Sequence, residues 1–104
     1  MSAPEEDQYS IAAWSLATFG KCPNNLRIAV RTNLEMAELL DALTADDNNP
    51  AAGAEIADII IVLARLATEM GFDIPSEINK KMRINRMRIW KSVDGVGHHV
   101  RVGA

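Results

Sequence analysis

Two pairs of acidic residues are the groups in this sequence whose type and spacing could perform chemistry. Glu35 and Glu38 form the first pair, and Glu55 and Asp58 form the second. Residues three apart in a helix share a face, so each pair predicts two carboxylates that point the same way. If consecutive helices pack antiparallel, the four carboxylates converge, and their repulsion must be relieved by protonation or by a cation. Oxygen ligands without His or Cys favour Mg²⁺ or Mn²⁺.

A solvated helix face is the alternative interpretation of either acidic pair taken alone. Both pairs border apolar stripes, and the residue four positions after each acid is apolar rather than Lys or Arg. Exposed carboxylates on helices commonly have a basic partner at that spacing. We therefore interpret the two pairs together as a candidate metal site.

Four helices are predicted to position these acids. Apolar periodicity and helix-end signals place them at residues 8–19, 26–43, 51–70 and from an N-cap at Asp73 to Trp90. The polar cluster at residues 44–50 predicts a tight connection between the second and third helices. Short connections between four helices indicate an all-α, antiparallel four-helix bundle.

A single domain over residues 1–104 is expected from the length of the chain. Residues 1–7 are predicted to be a flexible lead-in. Residues 92–104, with glycines and alternating valines, predict an extended tail or a short β arm. A chain this short buries a limited core, so assembly into a homo-oligomer is expected.

The composition bounds the class of protein. With 48% hydrophobic and 24% charged residues, the chain is expected to be soluble and globular, not disordered. A net charge of -3 gives no general attraction to nucleic acid or to anionic membranes. The acidic start and the short apolar runs predict neither a signal peptide nor a membrane span. Cys22 is the only cysteine, which excludes an intrachain disulfide and favours the cytoplasm.

A basic face on the predicted fourth helix complements the acids. Lys81, Asn85 and Arg88 fall at positions i, i+4 and i+7, an arrangement that suits phosphate oxygens. A solvated basic helix is the alternative. Trp14 and Phe19 could belong to the core or form a flat wall for a base. A divalent cation near Lys and Arg donors is the arrangement that phosphoryl chemistry uses.

Several motifs along the chain carry a resemblance to a known family. They are Trp14 followed by Phe19-Gly20, the acidic motif at 34–39, the acidic motif at 55–59, residues 66–71, and Lys81-Met82 with Asn85, Arg88 and Trp90. Over about residues 8–100 the sequence resembles the MazG-like all-α nucleoside triphosphate pyrophosphohydrolases. The pair of acidic motifs at this separation is more specific than either motif alone.

The resemblance implies Mg²⁺-dependent hydrolysis of a (deoxy)nucleoside triphosphate to the monophosphate and pyrophosphate, with Mn²⁺ as a substitute ion. Nucleotide-pool housecleaning and assembly into homodimers or homotetramers are also implied. Carried over by position, Glu35 and Glu38 would be catalytic, and the metal ligands would be Glu35, Glu38, Glu55 and Asp58. The implied substrate-binding residues are Trp14, Lys81, Asn85 and Arg88.

One position departs from the family pattern. The family often has two adjacent Glu at the start of the first motif, and Leu34 stands at the first of these positions. The number of metal ions is therefore left open. Two other functions also remain open: a catalytically impaired nucleotide-binding or regulatory protein, and a structural assembly module. The tail at 94–100 resembles that of a phage and bacterial subgroup. A flexible tail is the expected interpretation, and a tail that folds over the nucleotide of its own or a partner subunit is the alternative hypothesis.

Overall fold

The computed structural model describes residues 5–101, in which four α-helices precede a two-stranded hairpin. The expected all-α class with four helices is confirmed. The predicted helix bounds differ from the observed ones by at most three residues. The elements are α1 (Gln8–Phe19), α2 (Asn25–Ala45), α3 (Ala52–Glu69), α4 (Ile74–Met87), β1 (Trp90–Val93) and β2 (Val96–His99).

The chain divides into two compact units at Ile74. In the first unit, α3 packs against both α1 and α2. The second unit begins at Pro75 and holds the remainder of α4 and the β1–β2 hairpin. The expectation of a single domain over residues 1–104 stays a prediction. Within residues 5–101, no helix combines the length and apolar character that crossing a membrane requires.

The start of α1 is fixed by a capping box. The Asp7 carboxylate accepts hydrogen bonds from the backbone N–H groups of Tyr9 and Ser10, at 2.9 and 2.8 Å. The Ser10 hydroxyl in turn lies 2.8 Å from the Asp7 backbone N–H and accepts its hydrogen bond. These bonds satisfy donors that have no partner inside the helix. At the other end, Gly20 adopts a φ of 79°, a conformation that glycine adopts without steric cost.

The connection between α2 and α3 is held by Asn49. Its side-chain N–H group donates to the carbonyl oxygen of Ala42 at 3.0 Å, and its side-chain oxygen accepts from the Ala51 backbone N–H at 3.0 Å. One amide therefore links the last turn of α2 to the start of α3. The six residues between the helices make a tight hairpin, as the polar cluster predicts.

A buried glutamine joins the first turn of α1 to the segment that follows α3. The Gln8 side-chain N–H group donates to the Phe72 carbonyl at 2.5 Å, and its side-chain oxygen accepts from the Ile74 backbone N–H at 2.7 Å. The Thr68 hydroxyl also donates to the Gln8 carbonyl at 3.4 Å. Both polar ends of this side chain are therefore satisfied, which ties residues 72–74 to α1 within the first unit.

Replacing Gln8 with Ala is expected to lower the free energy of unfolding by about 2 kcal/mol, because two partly buried backbone groups lose their partners. Chemical denaturation monitored by circular dichroism measures this difference. Tyr9→Phe is the matched control, since it removes only the exposed hydrogen bond from the Tyr9 hydroxyl to Asp73. Equal losses in the two variants would contradict the role given to Gln8.

The expectation that the fourth helix reaches Trp90 is wrong. The helix ends at Met87, and Trp90 is the first residue of β1. The indole N–H of Trp90 donates to the Asn85 carbonyl at 2.7 Å, and its ring lies 5.6 Å from that of His99. These contacts explain why an extended conformation replaces another helical turn.

The C-terminal segment forms an antiparallel hairpin, as the alternative of a short β arm predicts. Trp90 pairs with His99, and Val93 pairs with Val96. Asp94 and Gly95, with φ of 52° and 80°, make the two-residue turn. Positive φ at both positions is the geometry of a type I′ turn, which Asp-Gly favours. The flexible lead-in predicted for 1–7 and the end of the predicted tail lie partly outside the described residues.

Candidate functional site

The two acidic pairs meet where α2 packs against α3. Glu35 and Glu38 come from the second half of α2, and Glu55 and Asp58 come from the first two turns of α3. One carboxylate oxygen from each lies within 4.8 Å of the others. The turn that Asn49 holds sets this register, because it fixes the end of α2 against the start of α3.

Glu35 is the most buried member of this acidic cluster, with only 6% of its surface exposed. Burial raises the pKa of its carboxyl group, and the hydrogen bond and charge of Glu38 raise it further. The Arg31 guanidinium opposes these effects on the pKa of Glu35. Burial and the neighbouring acids therefore favour the protonated form of Glu35, whereas Arg31 favours the charged form.

The residues present fit a divalent cation. The second carboxylate oxygen of Glu55 is buried and has no hydrogen-bond partner among the described residues. A buried carboxylate oxygen without a partner is costly, and coordination of a cation would remove that cost. Mg²⁺ binds oxygens at about 2.1 Å, so opposite ligands stand about 4.2 Å apart. The separations of up to 4.8 Å in the cluster are close to that requirement.

A pocket of about 720 Å³ opens beside the acidic cluster within the first unit. Glu35 and Asp58 belong both to the cluster and to the wall of the pocket. Trp14 and Phe19 line it from α1, with ring centroids 5.4 Å apart in an edge-to-face arrangement. The pocket therefore offers an aromatic surface and carboxylate oxygens to one ligand.

Four basic side chains that the sequence interpretation missed also line this pocket. They are Lys21, Arg27, Arg31 and Arg65. The sequence argument considered only bases that follow an acid by four residues, whereas Arg31 precedes Glu35 by four. Its guanidinium lies 2.9 Å from the Glu35 carboxylate, so this acid does have a local partner. The spacing of Arg27, Arg31 and Glu35 at i, i+4 and i+8 was the available signal.

Arg65 supports the loop after α1, whose residues line the pocket. Its guanidinium donates to the Gly20 carbonyl at 2.6 Å and pairs with Glu69 at 3.0 Å. Only 12% of the Arg65 side chain is exposed. These contacts tie α3 to the residues just after α1, which form part of the pocket wall.

The predicted substrate-binding residues fall in different units. Trp14 lines the pocket of the first unit. Lys81, Asn85 and Arg88 belong to the second unit. Lys81 and Asn85 lie one turn apart on α4, whereas Arg88 follows the last residue of that helix, with its N–H bonded to the Asn85 carbonyl at 3.2 Å. Their contact with a substrate stays a prediction.

The sequence is similar to two phage proteins that are named dATP/dGTP diphosphohydrolases. It is 33% identical over 94 residues to a dATP/dGTP diphosphohydrolase of Salmonella phage PMBT28, matching 89% of this chain and 30% of that protein. It is 36% identical over 67 residues to a dATP/dGTP diphosphohydrolase of Cyanophage S-2L, matching 64% of this chain and 59% of that protein. The chain thus spans about a third and three fifths of these two relatives. No family model matches it.

A solved structure shares the fold over nearly the full length. It is the Cyanophage S-2L MazG-like pyrophosphohydrolase bound to dGDP and three catalytic Mn²⁺ ions per active site. The TM-score is 0.72 at 28% sequence identity, covering 90% of this chain and 89% of that one. The agreement of sequence, fold and paired acidic motifs leads to one conclusion: the chain belongs to the MazG-like family.

Proposed function

We propose that this protein hydrolyses (deoxy)nucleoside triphosphates to the monophosphate and pyrophosphate, using a divalent cation. The proposal rests on one observation, that the acidic cluster and the pocket adjoin each other. Four carboxylates gather within 4.8 Å, and two of them also line a pocket with aromatic and basic walls. A nucleotide presents a flat base and a charged phosphate chain, which match those two kinds of wall.

The metal ligands in this proposal are Glu35, Glu38, Glu55 and Asp58. Mg²⁺ is the proposed ion, and Mn²⁺ is the proposed substitute. A bound ion of this kind neutralises phosphate oxygens and lowers the pKa of a coordinated water. The protein would hold the triphosphate at the edge of the acidic cluster and keep the pocket side of the nucleotide from bulk water.

Glu35 and Glu38 are the proposed proton acceptors for the attacking water. Glu38 is exposed on the same cluster and can pass a proton to solvent. The leaving pyrophosphate carries negative charge that basic side chains stabilise.

Purine deoxynucleotides are the substrates we propose to test first. Both sequence relatives are named for dATP and dGTP, and the structural neighbour holds dGDP. In this chain, Trp14 and Phe19 offer the base an edge-to-face aromatic pair. Lys81, Asn85 and Arg88 remain proposed contacts for phosphate or sugar, on the family resemblance.

A homo-oligomer is the proposed assembly. Leu26, Val30 and Leu34 stand at i, i+4 and i+8 on α2, and they are 71%, 50% and 54% exposed. A row of large apolar side chains open to water favours burial against another copy. Light scattering on the active species separates a monomer, a dimer and a tetramer.

The compartment we propose is the reducing cytoplasm, consistent with the free Cys22 thiol.

The proposed function is tested by measuring pyrophosphate release from a panel of canonical and modified nucleoside triphosphates with Mg²⁺ or Mn²⁺. We expect release of pyrophosphate from at least one deoxynucleotide, and none with EDTA. Release of single phosphates instead would contradict the proposed bond cleavage. Thermal stabilisation by metal and nucleotide without turnover would favour the impaired, nucleotide-binding alternative that Leu34 suggests. No response to either ligand would favour a structural assembly module.

A further inference from the structure

Arg31 connects the acidic cluster to the pocket. Its guanidinium lies 2.9 Å from Oε1 of Glu35, and its side chain also lines the pocket. The two partners differ in exposure, because 58% of the Arg31 side chain is open to solvent and Glu35 is buried. The arginine can therefore leave this ion pair and remain hydrated. The buried Glu35 carboxylate, when it is charged, requires a neighbouring positive charge.

The Arg31–Glu35 ion pair neutralises part of the negative charge of the acidic cluster. Glu35 lies among Glu38, Glu55 and Asp58, and the described residues place no other basic group within ion-pair distance of it. A divalent cation coordinated by Glu35 would supply that compensation more effectively than an exposed guanidinium does. It would also repel Arg31, because the two positive charges would share one carboxylate.

A released Arg31 side chain has one new partner available in the pocket. A nucleotide whose phosphates approach the cluster would bring anionic oxygens to the same wall, within reach of a flexible arginine. Guanidinium groups bind phosphate oxygens strongly, with two parallel hydrogen bonds in favourable geometry.

We propose that Arg31 exchanges partners, pairing with Glu35 when the cluster holds no metal ion and with a nucleotide phosphate when metal and nucleotide are bound. This inference rests on the proposed function of the site. It assigns to one side chain two opposite effects: Arg31 competes with the metal ion when no nucleotide is present, and it strengthens nucleotide binding once the metal is in place.

The other basic residues of the pocket do not meet these conditions. Arg65 is held on two sides by the Gly20 carbonyl and by Glu69, so it is a fixed part of the wall. Arg27 lies one helical turn before Arg31, about 6 Å along the axis of α2. Lys21 and Arg27 make no ion pair with any carboxylate among the described residues. Arg27 therefore serves as the matched control for Mn²⁺ binding.

The test uses two calorimetric titrations on the chain of residues 1–104. In the first, Mn²⁺ is titrated into the wild type and the Arg31→Gln, Arg31→Lys and Arg27→Gln variants without nucleotide. We expect Arg31→Gln to bind Mn²⁺ about threefold more tightly, since an exposed competing charge contributes modestly. Arg31→Lys, which keeps the charge, and Arg27→Gln should both bind Mn²⁺ as the wild type does.

In the second titration, dGDP is added at saturating Mn²⁺. We expect Arg31→Gln to bind dGDP about tenfold more weakly or worse, as the loss of a charge-assisted hydrogen bond predicts. Arg31→Lys should recover part of this affinity. Tighter Mn²⁺ binding together with weaker dGDP binding distinguishes partner exchange from general damage to the site, because general damage would weaken the binding of both ligands.

Unchanged or weaker Mn²⁺ binding by Arg31→Gln would overturn the exchange, and so would unchanged dGDP binding. Both titrations are independent of turnover. If the wild type binds Mn²⁺ and dGDP yet hydrolyses no triphosphate, the proposed function fails while the two titrations still decide the role of Arg31. Melting curves of all variants monitor folding, which an exposed side chain at position 31 is not expected to disturb.

Discussion

Replacing Glu38 with Gln and Asp58 with Asn together is expected to abolish Mn²⁺ binding and to lower kcat/KM for pyrophosphate release by about a thousandfold or more. The amides preserve volume and polarity but remove one charge from each helix of the cluster. Because Glu38 and Asp58 are the exposed members, the substitutions do not disturb the buried part of the α2–α3 contact. Calorimetry with Mn²⁺ and a coupled pyrophosphate assay measure the two effects separately.

The matched control for this double variant removes the same amount of charge elsewhere. Glu5→Gln with Asp47→Asn changes two exposed acids outside the cluster and should leave both metal binding and activity at the wild-type level. Activity that survives in the Glu38→Gln, Asp58→Asn protein would show that the four carboxylates are not the metal site. A loss in the control as well would point to overall charge, not ligation.

The acidic cluster could be predicted from sequence because its geometry is local. Spacing of three on a helix places Glu35 beside Glu38, and a short polar connection brings the next helix alongside. Glu55 and Asp58 then need only the correct register, which the Asn49 amide supplies through bonds to both helices. Each step depends on residues close together in the chain.

The pocket could not be predicted in the same way because its walls come from distant segments. Arg65 reaches the Gly20 carbonyl across 45 positions of sequence, and no periodicity in either segment indicates that contact. The sequence argument instead assigned phosphate binding to the basic face of the fourth helix. That assignment stays a prediction, while Arg31 was missed although its spacing from Glu35 was visible.

The end of α4 shows how a tertiary contact overrides helix propensity. Apolar and basic residues continue through Ile89 and Trp90 and predict another turn of helix. The bond from the Trp90 indole to the Asn85 carbonyl, and the pairing of Trp90 with His99, stabilise a hairpin instead. The turn-forming Asp94-Gly95 was the local signal for this hairpin.

The buried Glu35 carboxylate makes the stability of the metal-free protein depend on pH. Burial is the main cause that raises the pKa of Glu35 above its ordinary value of 4.5. The hydrogen bond and charge of Glu38 raise this pKa further, and the charge of Asp58 adds to the effect. A raised pKa in the folded state means that the fold binds this proton more tightly than the unfolded chain does. Stability from this group is therefore present at low pH and is lost as the pH rises through the raised pKa.

Glu35→Gln mimics the protonated side chain at every pH. Without metal at neutral pH, we expect this variant to melt a few degrees above the wild type, because it no longer buries a charge beside three other acids. Loss of the Glu35–Arg31 ion pair should reduce this gain in melting temperature only slightly, because Arg31 is mostly exposed. The difference should shrink as the pH is lowered towards the ordinary pKa of a Glu carboxyl, where the wild type becomes protonated too.

Saturating Mn²⁺ should reverse this order. Metal binding to the folded state stabilises the wild type in proportion to the logarithm of ion concentration over Kd, and the variant has lost a ligand. Melting temperatures with EDTA and with Mn²⁺, between pH 5 and 7.5, measure both effects, with the exposed Glu77→Gln as control. A metal-free variant less stable than the wild type would mean that the ion pair with Arg31 outweighs the cost of burying the Glu35 charge. A crossing of the two curves on adding Mn²⁺ would mean instead that the cluster is strained until a cation occupies it.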